Sequence, residues 1–226
     1  MSFIVAIDGP AGSGKGTVTK VVAEKIGLVN IDTGIIYRCI ALATLKNNIK
    51  VNEIEKILEL MENIDIQIKY QGSFQYAILN GEDVTKEIRT KEVNEIVSYV
   101  STPPEIREKV TKLERKIGND NLQKGKSIIM EGRDITTVVF PEADVKIYLD
   151  ATPEERAKRR YKQNQEIGLD IPFEEILQNI KERDYNDMTK KIGALKIAKD
   201  AIYIDTSNIE IDDVIDKICE IIKGKI

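Results

Sequence analysis

The sequence predicts an α/β domain: a three-layer, doubly wound arrangement around a five-stranded parallel sheet, with a small antiparallel insertion and a helical lid. Three observations carry this reading. Five short apolar runs, at 3–7, 28–32, 127–132, 144–150 and 201–205, alternate with segments of helical periodicity, the rhythm of strands buried on both faces. A glycine-rich loop stands between the first run and the helix after it. Residues 64–70 instead alternate with period two, so one face of that segment is wet, as in an antiparallel sheet.

The first run, FIVAI, has the continuous character of a central strand. In the following KGTVTKVVAEKIG, Val18, Val21, Val22 and Ile26 share a helical face, and Gly27 suits the C-terminal cap. LVNID reads as a second strand, and Thr33 as the cap of a helix through IIYRCIALATLK. A further helix, capped by Asn52, carries Ile54, Ile57, Leu58 and Met61 at helical spacing. Ile64, Ile66, Ile68 and Tyr70 then alternate, and GSFQYAIL, an Asn80-Gly81 turn and EDV complete a small hairpin sheet. Helices return over TKEVNEIVSYVS and PPEIREKVTKLERKIG, the second opened by Pro103-Pro104 and closed by Gly118.

SIIMEG and DVKIYLD resume the parallel rhythm. Pro153 opens one helix, PFEEILQNIKERDYNDMTKK is another, and AIYID is the last strand. The closing helix turns Ile211, Ile215, Ile218 and Ile222 inward. The expected division is a core of residues 1–63 and 101–226, with a lid at about 155–190, and an inserted subdomain at 64–100.

The chain has 226 residues and a net charge of -4, which argues against a protein dedicated to nucleic acid. No apolar run approaches the ~18 residues of a membrane span, and the N-terminal MSFIVAIDG lacks the make-up of a signal peptide. Cys39 and Cys219 lie far apart and read as reduced, buried thiols of a cytoplasmic protein. There is no histidine, which removes the commonest general base and the commonest zinc ligand. Chemistry here works by positioning and charge.

The loop is Gly9-Pro10-Ala11-Gly12-Ser13-Gly14-Lys15-Gly16-Thr17. It matches the phosphate-loop pattern G-x-x-x-x-G-K-[ST] except that Gly16 displaces the hydroxyl residue to Thr17. Its glycines let backbone N–H groups converge on an anion, and the helix start adds partial positive charge. Lys15 reaches the β- and γ-phosphates in such a cradle. The displaced hydroxyl suggests that a Mg2+ ion is held by water and phosphate oxygens, with Thr17 touching phosphate or a bound water.

In DTGIIYR, Thr33, Tyr37 and Arg38 start the second helix beside the loop, and Arg38 can clamp a phosphate with two N–H groups. Arg133 and Asp134 follow a buried strand at the carboxyl edge, where open α/β sheets place ligands. Arg133 can bind phosphate; Asp134 can accept from a base amino group or simply cap the next helix. Arg156, Lys158, Arg159, Arg160 and Lys162, then Arg183, Asp184 and Asp187, lie on two helices joined by IGLDIP. Most of these side chains read as a solvated face, yet the pair is similar to a lid closing over transferring phosphates.

Together IDGPAGSGKGT, DTGIIYR, GEDVTKEIRT, EGRDITTVVFPEADVKIYLDA, ERAKRR and IKERDYND resemble bacterial cytidylate kinases, nearly end to end. The resemblance implies transfer of the ATP γ-phosphoryl to CMP or dCMP, with Mg2+ carried on ATP. It implies that Gly9 to Thr17 hold the ATP phosphates, and that Arg38, Arg133 and Arg183 grip the acceptor phosphate. Thr33, Ser98, Arg107 and Asp134 would surround the cytosine, Asp187 would address the ribose, and Arg159 would be the lid arginine. The catalytic group would be Lys15, Arg133, Arg159 and Arg183. Two positions depart from the family: Thr33 stands where serine is usual and keeps a hydroxyl, whereas Lys190 stands for arginine and lacks its fork.

The chemistry is consistent with this. A phosphate acceptor with a second pKa of ~6 is already ionised at neutral pH, so no general base is needed. Catalysis becomes in-line alignment and cancellation of charge between two anions. The alternatives are a kinase for UMP or AMP, or a nucleotide-dependent switch protein. The switch motifs N-K-x-D and D-x-x-G do not occur. A monomer is expected, since lid and insertion both need freedom to move.

Overall fold

The computed structural model describes residues 2–71, 74–166 and 168–225. The chain runs β1 (Ile4–Asp8), α1 (Lys15–Ile26), β2 (Val29–Asp32), α2 (Gly34–Lys46) and α3 (Ile54–Asn63). Next come β3 (Ile66–Gln71), β4 (Phe74–Leu79), β5 (Glu82–Asp83), a 3-10 turn (Glu87–Arg89), α4 (Lys91–Val100) and α5 (Pro104–Gln123). It continues through β6 (Ile128–Gly132), a π-helical turn (Ile135–Val139), β7 (Val145–Asp150), α6 (Pro153–Glu166), α7 (Phe173–Thr189), β8 (Ile202–Asp205) and α8 (Ile211–Lys223).

The apolar runs form one parallel sheet in the order β2-β6-β1-β7-β8. Helices cover both faces, so Val5, Ala6, Ile7, Ile128, Ile129 and Ile147 are fully buried. On one face α1 and α8 pack Val18, Val22, Ile215, Ile218 and Cys219 against the sheet. Register places Asp32 opposite Glu131 and Asp8 opposite Gly132, so the loops after β1, β2 and β6 leave the sheet side by side. The carboxyl edge is therefore where the motifs meet.

The period-two segment pairs as expected in a second, antiparallel sheet, β3-β4-β5. Asn80 and Gly81, with φ of 52° and 85°, make its tight turn. Gly72 and Ser73 of the expected hairpin, and Ile167 of the turn joining the lid helices, lie outside the described residues. The inner face of this sheet (Ala77, Leu79) joins Val93, Val97 and Val100 of α4 and Ile106 and Val110 of α5 around α2. Helix α2 is apolar nearly all round because it packs on both sides. The hairpin also reaches the main sheet: Asp32 donates its N–H to Gln75 Oε1 at 3.0 Å, and Lys20 Nζ lies 4.0 Å over the Phe74 ring.

Four local expectations change. Helix α3 starts one residue later, with Glu53 and not Asn52 at its N-cap. Thr33 holds the N-cap position of α2 but makes no capping bond; its hydroxyl donates to the Glu131 carbonyl at 2.9 Å. Gly118 does not end a helix, because α5 continues to Gln123. A Cβ there would stand 2.6 Å from Phe140 Cζ, so glycine answers a close approach and not a stop. Ile211, expected inward, is 43% exposed at the first position of α8.

Candidate active site

The loop after β1 bends into α1 through Gly14, whose φ of 90° is a left-handed conformation that glycine adopts without strain. Lys15 is buried, and its Nζ donates to the carbonyls of Gly9 at 2.7 Å and Pro10 at 2.8 Å and to Ser13 Oγ at 3.3 Å. Burial, with Arg133's positive charge, lowers its pKa to about 7. Gly12 to Thr17 line a cleft of ≈ 1170 Å³, above the usual range for one small ligand. Gly9 and Pro10 lie behind it and contribute carbonyls to Lys15. Thr17 is exposed at the loop.

Two carboxylates support the loops. Asp8, fully buried, accepts from the N–H groups of Ile135 at 2.9 Å and Thr136 at 2.7 Å and from Thr136 Oγ1 at 2.6 Å. It thereby fixes the π-helical turn that follows Asp134. Glu131 accepts from Thr19 Oγ1 at 3.1 Å; burial and the nearby Asp32 push its pKa up to about 7. Sequence reasoning missed both, although Asp8 is the last residue of β1 and Glu131 the last but one of β6, each just before a motif.

Arg38, Arg133 and Arg183 line the same cleft. Arg38 Nη1 donates to the Ile88 carbonyl at 2.9 Å and Asn94 Oδ1 at 2.7 Å, tying it to the insertion. Arg133 Nε donates to Asp187 Oδ2 at 2.9 Å. Arg183 forms no salt bridge among the described residues, and burial plus the charges of Arg133, Arg38 and Arg160 lower its pKa to about 10. Of these three guanidiniums only Arg133 makes a salt bridge among the described residues, with Asp187. Such a cluster is completed by an anion.

Beside them, Arg107 Nη2 lies 2.7 Å from Asp134 Oδ2, with both side chains buried. Arg107 Nη1 donates to the Ser101 carbonyl at 3.0 Å, and its guanidinium carbon sits 5.5 Å from the Tyr37 ring centroid. Asp134 occupies the N-cap of the next turn without a side-chain cap bond, so the capping alternative does not describe it. Ser98 Oγ and Tyr37 Oη are buried without a partner among the described residues, and both residues line the cleft. Gly193, unforeseen from sequence, crosses this pair so closely that a Cβ would collide with Asp134 Oδ2 and Arg107 Nη2.

Lys190 Nζ donates to Asp187 Oδ1 at 2.8 Å and Ser101 Oγ at 3.2 Å. It joins the arginine cluster to the Arg107–Asp134 pair. The charges of Arg133, Lys190 and Arg183 outweigh burial and hold Asp187 well below the usual carboxylate range. In the lid, Arg159 Nη2 donates to the Thr206 carbonyl at 2.6 Å and Nη1 to its hydroxyl at 3.2 Å. Arg156, grouped from sequence with a solvated face, is instead 2% exposed. It meets Asp184 with two bonds of 2.9 and 2.5 Å and donates to the Ala11 carbonyl at 3.1 Å, locking α6, α7 and the loop together. Thr33, Arg159, Asp187 and Lys190 all line the cleft, as do Ile209 and Ile211, which sequence reasoning did not mark.

The family model described as cytidylate kinase matches residues 5–224. The chain belongs to the cytidylate kinase family. It is a kinase, a phosphotransferase that phosphorylates CMP and dCMP. A cytidylate kinase of Caldicellulosiruptor saccharolyticus is 48% identical over 217 residues, covering 96% of this chain and 94% of its own. One of Leuconostoc mesenteroides is 45% identical over 225 residues, covering 100% and 98%. A cytidylate kinase of Fusobacterium nucleatum is 47% identical, covering 95% and 94%. Among solved structures, a sugar kinase from Janibacter superposes with a TM-score of 0.51 at 14% identity, covering 99% of this chain and 95% of that one, a likeness of fold alone. Among the described residues no helix is long and apolar enough to cross a membrane.

Proposed function

We propose that this cytidylate kinase family member moves the ATP γ-phosphoryl in line to CMP or dCMP through the following division of labour. The backbone of Gly12 to Thr17 cradles the ATP phosphates, and Lys15 turns from its own loop carbonyls onto the β/γ oxygens. Arg38, Arg133 and Arg183 take the acceptor phosphate; the observation that carries this is that all three line one cleft with only Arg133 in a salt bridge among the described residues. Arg107, Asp134, Ser98 and Thr33 meet the cytosine, with Asp134 accepting from its amino group. Asp187, although engaged by Arg133 and Lys190, retains lone pairs that can accept a ribose hydroxyl. Arg159 approaches the phosphates from the lid.

The donor set also fits Mg2+. Asp32 and Glu131, at the ends of paired strands, face the loop with the exposed Thr17 hydroxyl; a partial oxygen set of this kind leaves the other positions to phosphate and water. These three would hold the hydrated ion, whose bound charge offsets that of the phosphates. Segment 64–100 would act as the acceptor-binding subdomain of a monomeric cytoplasmic enzyme, with the lid at about 155–190 excluding water on closure.

A coupled assay of ADP release, run in turn with CMP, dCMP, UMP and AMP, tests the reading. CMP and dCMP are expected to give the highest kcat/KM. A preference for AMP would overturn it.

A further inference from the structure

Glu114 lies on α5 two turns beyond Arg107, on the same buried face. It is 1% exposed, and its Oε2 meets no hydrogen-bond donor among the described residues. Thr33 is its polar neighbour, but the single Thr33 proton goes to the Glu131 carbonyl at 2.9 Å. Without a donor at Oε2, the buried carboxyl favours its neutral form. The charged or titratable groups around Glu114 are Arg107 on its own helix, Asp134 after β6, Asp8 on β1 and Tyr37 on α2. Among the described residues Arg107 forms its salt bridge with Asp134 and none with Glu114. Asp134 holds the direct 2.7 Å contact.

We propose that Glu114 is a positioning residue for the acceptor base: as a neutral acid beneath the Arg107–Asp134 pair, it leaves the guanidinium to Asp134 and keeps Asp134 an acceptor only. This rests on the reading of Arg107 and Asp134 as the cytosine contacts. Cytosine offers an amino donor, which an ionised Asp134 accepts; uracil offers a carbonyl there, which only a protonated Asp134 could serve. As the neutral acid, Glu114 adds no second negative charge beside Asp134 and leaves it as the acceptor for the amino group. Burial and the Asp134 charge push Glu114 up to about 8, in agreement with the hydrogen-bond argument. Ionising Glu114 would draw Arg107 away from Asp134 and loosen the base site.

The test is CMP binding by calorimetry without ATP. Between about pH 7 and pH 9 the wild-type Kd should rise about tenfold, the factor for binding that requires the protonated form of a group of this pKa. Glu114→Gln, fixed neutral, should abolish that rise and keep the CMP-over-UMP ratio of kcat/KM at neutral pH within about twofold. An equal rise in the variant, or a neutral-pH ratio collapsed by more than about tenfold, overturns the proposal. Because a buried substitution can perturb folding, 13C NMR of the Glu114 carboxyl in wild-type protein supplies a second measure. A titration midpoint below about 6 overturns the proposal, being nearer the ordinary glutamate value. A wild-type enzyme that did not prefer CMP would refute the base-site reading instead, and would do so whatever the NMR midpoint.

Discussion

Arg133 Nε stands 2.9 Å from Asp187 Oδ2, and this ion pair sets the geometry of the arginine cluster. Asp187 reaches Arg133 with one oxygen and Lys190 with the other. It thus ties the arginine cluster to Lys190. Arg133→Ala is expected to lower kcat/KM with CMP by about 10²–10³-fold, the usual loss for a preorganised charge facing a developing anion. Circular dichroism should remain native, because Arg133 is not part of the apolar core. Near-normal turnover in that variant would contradict its role.

Lys15 should take up a proton when ATP binds. Burial and Arg133 lower its pKa to about 7 in the free protein, so at about pH 8 it is mostly neutral. Phosphate oxygens favour the charged form and raise that pKa. Calorimetry of ATP binding in buffers of differing ionisation enthalpy should give an uptake approaching one proton per site at that pH. Lys15→Met should bind ATP weakly and without this uptake.

The Arg156–Asp184 pair is predicted to be a stability determinant. Asp184→Ala leaves a buried guanidinium unpaired, for which the expected loss is about 3–5 kcal/mol, read from chemical denaturation. Because Arg156 also holds the Ala11 carbonyl, KM for ATP should rise in the same variant. Asp184→Asn, which keeps one acceptor, should lose less on both measures.

Gly118→Ala separates helix propensity from packing. In an exposed helix the change would stabilise by ~1 kcal/mol. Here the new methyl meets the Phe140 ring, and overpacking of this kind costs about 1–3 kcal/mol. A lower Tm for Gly118→Ala, partly restored by adding Phe140→Leu, is the expected result. An increase in Tm would refute the contact.

The main sheet was legible because parallel strands buried on both faces leave continuous apolar runs, and β1, β2, β6, β7 and β8 fall within a residue of those runs. The second sheet was legible through the alternation of Ile64 to Tyr70 and the Asn80-Gly81 turn. What periodicity could not show was side-chain commitment across the chain. The Thr33 hydroxyl turns to Glu131, Arg156 turns inward to Asp184, and Gly118 yields to Phe140. Each depends on a neighbour at least 22 positions away, which no local pattern encodes. Asp8, Glu114 and Glu131 were missed for the same reason. A buried carboxylate declares itself only when the backbone N–H groups, hydroxyls or guanidiniums around it are known.

The two thiols, finally, give the molecule a pair of internal clocks. Cys39 is fully buried in the cluster around α2 and the small sheet, and Cys219 lies in the cluster between α1 and α8. Burial pushes the Cys39 thiol up to about 12 and raises that of Cys219, so neither offers a thiolate to oxidants or alkylating agents while its surroundings stay closed. Each becomes reactive only when its own cluster breathes. The ratio of their labelling rates therefore measures how far the cluster around α2 and the small sheet loosens independently of the one between α1 and α8, without any engineered probe.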